Sequence, residues 1–279
     1  MKSETTQAKT RQSKDSSIDR PENLGKPQMK WGSDVVAEVT RRLNLKYIAL
    51  VPGASYRGFH DSIVNYLGNS NPQMVICLHE EHAVSIADGY GKVTEEPMAV
   101  ALHANVGLMH AAMPIFNAWC DRTPMIIFGA TGPVDAHRRR PWIDWIHTAK
   151  DQASIIRDYT KWDDQPASPQ AAVESVLRAN QITRTPPYGP VYICLDAGLQ
   201  EAPLTEELAV PDAARFTAHL DELHDRVGPH QAAIQRVLRR EHPPREPHDR
   251  VFLRPLLLVS THEHLADAGD DQERAEDVG

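Results

Sequence analysis

The chain has 279 residues, of which 41% are hydrophobic and 24% charged, proportions typical of a soluble globular protein. The formal net charge of −8 excludes a global basic footprint for nucleic acid. No apolar stretch approaches the roughly 20 residues that a membrane helix needs, and the polar N-terminus lacks the apolar run of a secretory signal. These features predict a cytoplasmic protein with reduced cysteines and with no nucleic-acid or membrane partner.

The composition divides the chain into three regions. Residues 1–28 are polar and aperiodic, which predicts a disordered leader. Residues 29–205 alternate short apolar runs with amphipathic segments and are expected to form the folded domain. Residues 206–279 are rich in His, Arg and Pro, so we expect a poorly ordered tail, and we hypothesise that it is frameshifted coding sequence.

The folded region is predicted to begin with a helix that Ser33 caps, because Val35, Val39 and later apolar residues share one face. The predicted strands that follow are residues 47–51, 74–78, 98–102, 124–128, 159–162 and 190–194. The predicted helices between them are residues 58–67, 80–93, 106–119 and 169–183.

The order of these elements indicates the fold class. Strands that are apolar throughout and separated by helices indicate a parallel sheet covered on both faces. The helices return the chain in right-handed crossovers. The sequence therefore predicts an α/β fold, an open and doubly wound parallel sheet with helices on both faces.

Glu80 stands at the junction of a predicted strand and a predicted helix, where parallel sheets bind ligands. The helix has a packing face of small and apolar residues, and Gly89 on it is expected to allow a close backbone approach. An alternative interpretation is that Glu80 is a structural acidic residue in the first helical turn, where the helix dipole favours it.

The longer segment around Glu80 carries a family resemblance. His79-Glu80, Ala83 and the run 87–90 (Ala-Asp-Gly-Tyr) resemble the glutamate segment of the pyrimidine-binding domain of thiamine-diphosphate enzymes, the family of acetolactate synthase, pyruvate oxidase and benzoylformate decarboxylase. The matching motifs span about residues 29–203 in the family's order. The other segments that carry the resemblance are Val51-Pro-Gly53 and residues 118–127, 159–162 and 189–193.

The resemblance implies that Glu80 is the catalytic glutamate that activates thiamine diphosphate. A carboxyl group in an apolar cleft can share a proton with a ring nitrogen of the aminopyrimidine. The imino tautomer then takes the proton from the thiazolium carbon, which attacks a 2-keto acid while the ring serves as electron sink. Neighbouring Glu81 is expected to be solvated or to face a subunit.

The resemblance also implies a second catalytic residue, His103. It stands at the next strand-to-helix junction and resembles the proton-transferring histidine of benzoylformate decarboxylase. The alternative is a helix-terminal histidine that only forms hydrogen bonds. Relatives of the decarboxylase type have a serine directly after the Pro-Gly turn, but Ala54 occupies that position here and Ser55 follows, so that serine's role is not carried over.

The implied cofactor-binding residues lie on the same segments, and relatives usually have Asn where His110 stands. These cofactor-binding residues are Pro52, Gly53, Glu80, His103, Gly107 and His110.

The cofactor site is expected to be shared with a diphosphate-binding domain of another chain or subunit, because the chain lacks the family's Gly-Asp-Gly motif. That domain would also hold Mg²⁺. No metal ligands are predicted in this chain, and His262-Glu-His264 is interpreted as a chance match. Arg138–Arg140 is expected to be a solvated cluster, and Trp142 and Trp145 to be packing or subunit-contact residues.

Three functional interpretations remain open. The first is an N-terminal domain of a 2-keto-acid decarboxylase or carboligase that is truncated and inactive alone. The second is a split subunit of a two-chain decarboxylase, and the third a non-catalytic dimerisation module. In each case a homo- or hetero-oligomer is expected. His103 favours decarboxylase over carboligase chemistry.

Overall fold

The structure, a computed structural model, describes residues 20–21, 28–206 and 208–216. The predicted leader (1–28) and tail (206–279) therefore lie almost wholly outside the described residues. Among the helices that the structure describes, none combines the length and the apolar character that crossing a bilayer requires.

A six-stranded sheet in the order β2-β1-β3-β4-β6-β5 forms the centre of the domain, and all neighbouring strands are parallel. The predicted fold class, a doubly wound α/β sheet, is confirmed. The chain runs outward from β1 in both directions, so β1 and β3 flank the point where the strand order reverses. The strands are β1 (Tyr47–Leu50), β2 (Gln73–Ile76), β3 (Met98–Ala101), β4 (Met125–Thr131), β5 (Asp163–Asp164) and β6 (Pro190–Asp196).

Helices cover both faces of the sheet, because side chains of a buried strand alternate between the two faces. Ile48 and Leu50 of β1 pack in the core on one face, and Ala49 packs in the core on the other. The first core includes α1, α2 and α5, and the second includes α3 and α4. The helices are α1 (Gly32–Arg42), α2 (Arg57–Asn65), α3 (Glu80–Thr94), α4 (Ala104–Cys120), α5 (Pro169–Arg184) and α6 (Ala197–Gln200).

The start of α1 differs from the prediction. Trp31, not Ser33, is the N-cap residue, and the carboxylate of Asp34 accepts hydrogen bonds from the backbone N–H groups of Lys30 (2.8 Å) and Trp31 (3.0 Å). Ser33 is the second helical residue and lies buried, with its hydroxyl oxygen 2.9 Å from that of Ser62. The prediction was wrong because a carboxylate three residues after Trp31 reaches both free N–H groups.

The strand predicted at residues 159–162 also differs. Tyr159 ends a 3₁₀ turn, and pairing with β6 begins only where the Lys161 N–H donates to the Pro190 carbonyl. The assigned strand is Asp163–Asp164. Arg157 stabilises the turn through ion pairs to Asp151 (2.7 Å) and Asp163 (3.0 Å). Tyr159 therefore lies in a turn, although its residue type favours a strand.

Candidate functional site

The loops after β1, β2 and β3 lie side by side at the carboxyl edge of the sheet. Gly53 follows β1, Glu80 follows β2 and His103 follows β3. These three strands are neighbours in the order β2-β1-β3, so the topology gathers residues that are far apart in the sequence. This edge is where doubly wound sheets bind ligands.

Glu80 is the first residue of α3 and is buried, with 8% of its surface exposed. His79 caps the helix, since its Nδ1 accepts a hydrogen bond from the Glu81 N–H (3.2 Å). Ala83 and Ala87 on the buried face of α3 allow it to pack closely in the core. The backbone thereby fixes a carboxylate at the carboxyl edge while Glu81 beside it stays exposed.

The predicted residues Gly107 and His110 lie on α4 against the Glu80 carboxylate. A Cβ at position 107 would be 2.9 Å from Glu80 Oε1, so a glycine is needed for the carboxylate to occupy its place. His110 Nδ1 lies 3.4 Å from Glu80 Oε2. The structure thus brings three of the predicted site residues into one cluster.

His103 caps α4 from the end of β3 and is half-buried beside Gly53. A Cβ at position 53 would lie 2.7 Å from His103 Cβ and 2.8 Å from its Nδ1, so Gly53 leaves the room that the imidazole occupies. The ring also packs against His147, with 4.6 Å between the ring centroids. Pro52, the remaining predicted residue, is exposed at the same edge.

Ser55 is a site residue that the sequence analysis missed. Its hydroxyl accepts a hydrogen bond from the Ala104 N–H (3.0 Å) and lies 2.8 Å from His103 Nδ1. The alignment of motifs set this serine aside because it stands one position later than in relatives. Ser55 lies in the 3₁₀ turn Ala54–Tyr56, where its hydroxyl contacts the imidazole.

The loop that carries Ser55 is held from two sides. The buried Tyr56 hydroxyl donates to the Val51 carbonyl, and Gln200 Nε2 donates to the Ser55 carbonyl (3.0 Å). These bonds tie the turn after β1 to α6. The position of the Ser55 hydroxyl is therefore set by the fold.

The His103 environment favours a neutral imidazole. Burial lowers the pKa of His103, and the neighbouring His147 lowers it further, whereas the negative charge of Glu80 acts in the opposite direction. Because the Ala104 N–H donates to the Ser55 oxygen, the serine proton is free to point at Nδ1. That arrangement favours the tautomer with its proton on Nε2.

Ala104, directly after His103, has a φ of 28°, outside the regions that non-glycine residues usually adopt. It is buried, and its N–H is fixed by Ser55. Strained backbone of this kind persists where surrounding contacts impose it, and it is frequent at functional sites. The strain therefore lies directly after His103 in the chain.

Two other sequence-based expectations can be compared with the structure. Gly89 is exposed and a Cβ there would have no neighbour within 4 Å, so the predicted close approach at Gly89 is wrong. The close approach occurs two residues later, where Gly91 packs against Thr123. The predicted site contained no metal ligands, yet ligand atoms of His79, Glu80 and His110 lie within 4.8 Å of one another.

Several large apolar side chains remain exposed on α4 and in the connection after β4. Trp142 is 74% exposed in the connection after β4, and Met113 on α4 is 60% exposed. Met109 and Phe116 continue the exposed apolar side of α4. We call Met109, Met113 and Phe116 the α4 apolar patch; contiguous apolar surface of this kind is typical of contact sites.

The sequence was then compared with known proteins. Residues 30–155 match the profile of the thiamine pyrophosphate enzyme family described as the N-terminal TPP binding domain. The acetolactate synthase large subunit of Lactococcus lactis is 27% identical over 176 residues, covering 63% of this chain and 29% of the relative. Benzoylformate decarboxylase of Pseudomonas aeruginosa is 28% identical over 131 residues, covering 46% of this chain and 24% of the relative.

Solved structures show the same fold. The thiamine diphosphate-dependent 4-hydroxybenzoylformate decarboxylase of Rhodococcus jostii RHA1 superposes with a TM-score of 0.56 at 23% identity, covering 67% of this chain and 33% of that one. This likeness shows the fold, and the profile match over residues 30–155 indicates the kind of domain. The chain is therefore similar to the N-terminal TPP binding domain of thiamine pyrophosphate enzymes, with acetolactate synthase and benzoylformate decarboxylase among its relatives. It spans 29% and 24% of the two curated relatives.

Proposed function

We propose that this domain supplies the activating carboxylate and one wall of a thiamine-diphosphate site in a 2-keto-acid decarboxylase or carboligase. The observation that carries the proposal is the buried Glu80 carboxylate, held at the carboxyl edge by α3 and enclosed by Gly107. When bound, thiamine diphosphate supplies the electron sink for decarboxylation. The chain's own part is to present Glu80 where a ring nitrogen of the aminopyrimidine can share its proton.

Burial is what makes Glu80 suited to this role. A carboxyl group enclosed by protein is held in one position, so it can be presented to a neighbouring base at hydrogen-bond distance. Glu81 differs from Glu80 by one position and is exposed. Both residues occupy the first turn of α3, so burial distinguishes them and not their distance from the helix terminus.

His103 is proposed as the second catalytic group. Its lowered pKa keeps the imidazole neutral at pH 7, so that it can accept a proton from a substrate group and return it. Ser55 fixes Nδ1 and leaves Nε2 for exchange. These features favour decarboxylase chemistry over carboligation. A purely structural role for His103 at the helix terminus is the alternative.

The remainder of the site is assigned to a diphosphate-binding domain of another chain or subunit, which would hold the cofactor's phosphates and Mg²⁺. Support comes from the α4 apolar patch, whose first residue, Met109, directly precedes His110. On this proposal the chain alone is inactive and works in a homo- or hetero-oligomer. A non-catalytic dimerisation module would use the same patch but would not need Glu80.

The test compares two substitutions in the enzyme completed by its diphosphate-binding partner. Glu80→Gln removes the proton-sharing group and keeps its size, so we expect 2-keto-acid turnover to fall by about 10²–10⁴-fold. The matched control is Glu81→Gln, which should leave turnover close to that of the wild type. Near-wild-type turnover in Glu80→Gln would refute the assignment.

A further inference from the structure

The Glu80 carboxylate and two neighbouring histidines form a set of potential metal ligands that is open to solvent on one side. His79, Glu80 and His110 each offer one ligand atom, and these atoms all lie within 4.8 Å of one another. His79 and Glu80 are fixed at the start of α3, and His110 projects from α4. The two helices pack against each other, which brings the three side chains together.

The three side chains lie close together, but the contacts between them do not use all of their potential ligand atoms. Glu80 Oε2 lies 3.4 Å from His110 Nδ1, and the rings of His79 and His110 stack with 4.9 Å between centroids and 21° between planes. The Glu80 side chain is only 10% exposed, whereas that of His110 is 58% exposed. A cation could therefore approach from solvent between the imidazoles and reach a buried carboxylate.

We propose that His79, Glu80 and His110 form a binding site for Zn²⁺ or a cation of similar ligand preference. Two imidazoles and one carboxylate are a donor set that suits Zn²⁺, and three protein ligands leave a fourth position for water. Zn²⁺ ligands lie about 2.0–2.2 Å from the metal, so the donors must move closer together. The exposed His110 side chain supplies that movement, since His79 and Glu80 are fixed by the α3 terminus.

The hydrogen bonding of His79 is compatible with this site. Its Nδ1 accepts a bond from the Glu81 N–H in an exposed setting. If a metal takes this nitrogen, the Glu81 N–H is released to water, where it can form a hydrogen bond again. Nothing buried is left without a partner by the exchange.

Metal binding has a consequence that rests on the function proposed above. The cation would occupy the carboxylate that the cofactor's aminopyrimidine needs, so Zn²⁺ and thiamine diphosphate would compete for Glu80. The combination of His79 and His110 around this carboxylate would then make the site sensitive to free zinc.

The test is a Zn²⁺ titration of the purified full chain in competition with a chromophoric chelator. Because any other histidine that binds Zn²⁺ would add to the total, variants are compared with the wild type. His79→Asn removes a ligand but keeps an acceptor for the Glu81 N–H, and should lose one tightly bound equivalent. His110→Asn should lose the same equivalent, which covers the case in which His79→Asn does not fold.

The matched control is His82→Asn. This exposed ring lies 5.8 Å from His79 and is not among the three ligands, so its removal should preserve the stoichiometry. Zn²⁺ binding that is the same in the wild type, His79→Asn and His110→Asn would overturn the proposal, as would an equal loss in His82→Asn.

Competition is measured separately, as the rise in apparent KM for thiamine diphosphate when Zn²⁺ is added to the completed enzyme. The rise should be smaller in His79→Asn than in the wild type. Intact zinc binding without any change in KM would contradict the competition and leave the metal site in place. If the wild-type chain does not bind Zn²⁺, the Glu80→Gln test is unaffected. The two proposals can therefore fail independently.

Discussion

His103 illustrates how much of the proposed chemistry depends on the surroundings of one residue. Its imidazole is half-buried against Gly53, contacts Ser55 and lies beside His147. Burial and the second imidazole disfavour the charged form, and the carboxylate of Glu80 offsets part of this effect. The residue is therefore held in the protonation state that a general base requires.

The lowered pKa of His103 predicts a pH dependence of stability. The folded chain takes up this proton at a lower pH than the unfolded chain, whose histidine titrates near pH ~6.5. Stability should thus decrease as the pH falls below about 6.5, down to the folded-state pKa, because the unfolded state binds more protons in that window. His103→Asn should flatten this part of the profile when the free energy of urea unfolding is measured between pH 7.5 and 5.

A second variant separates the causes of this shift. His147→Asn removes the neighbouring imidazole, which lowers the pKa of His103, and should reduce the loss of stability in the same pH window. Parallel stability profiles for the wild type and His103→Asn would contradict the account.

At the scale of elements, α3 and α4 carry the candidate site. Gly89 on α3 and Gly107 on α4 have different surroundings. Gly107 on α4 faces Glu80 and His103, and a Cβ there would be 2.9 Å from Glu80 Oε1 and 3.2 Å from His103 Cβ. Gly89 on α3 faces open space. Only one of these two helical glycines is therefore required by packing at the site.

The pair gives a matched prediction. Gly107→Ala should displace the Glu80 carboxylate and lower turnover of the completed enzyme on the order of 10²-fold, as small misplacements of catalytic groups do. Gly89→Ala should stabilise the chain by about 0.5–1 kcal/mol, because alanine is the better helix former. Turnover and urea unfolding are measured for both; unchanged turnover in Gly107→Ala would be inconsistent with the proposed position of Glu80.

The elements also show which structural features the sequence can predict. The buried strands are continuous apolar runs, and β1, β3 and β4 lie where those runs occur, within a few residues. The edge strand β5 consists of Asp163 and Asp164 and carries no apolar pattern, so its position was predicted too early. The cap of α1 was missed because a carboxylate inside the first turn outcompeted a nearby serine.

The site was predictable only where a motif is local. Glu80, His103 and Gly107 each lie on a short segment that resembles the family, and the fold brings them to one edge. The contact between His110 and Glu80 spans 30 positions, and no periodicity encodes it. Ser55 was not among the predicted residues because it stands one position later than the serine of relatives, and its contact with His103 depends on a 3₁₀ turn that the sequence analysis did not predict.

At the scale of the whole molecule, the exposed α4 apolar patch lies on the same helix as Gly107 and His110. We expect a partner domain to cover this patch, since burying such side chains is favourable by about 25 cal/mol per Å² of apolar surface. The proposed partner would thereby lie against the side of the domain where the cofactor site is open.

A charge in the middle of this patch should weaken the complex. Met113→Lys should reduce the affinity for the diphosphate-binding partner, while the chain's own unfolding free energy changes by less than about 0.5 kcal/mol, because the side chain is 60% exposed. Gln181→Lys, at an exposed position on α5, adds the same charge on the opposite layer as a control. Equal affinities for the two variants, measured by sedimentation velocity, would place the partner elsewhere.

The most direct test of the shared site is a calorimetric titration of thiamine diphosphate with Mg²⁺ into the purified chain, alone and with the protein encoded immediately downstream. We predict no binding heat for the chain alone, and binding with 2-keto-acid turnover when the downstream protein supplies the phosphate and Mg²⁺ site. Turnover by the chain alone, or no cofactor binding in either arrangement, would contradict the proposal that this domain provides one half of a working thiamine-diphosphate site.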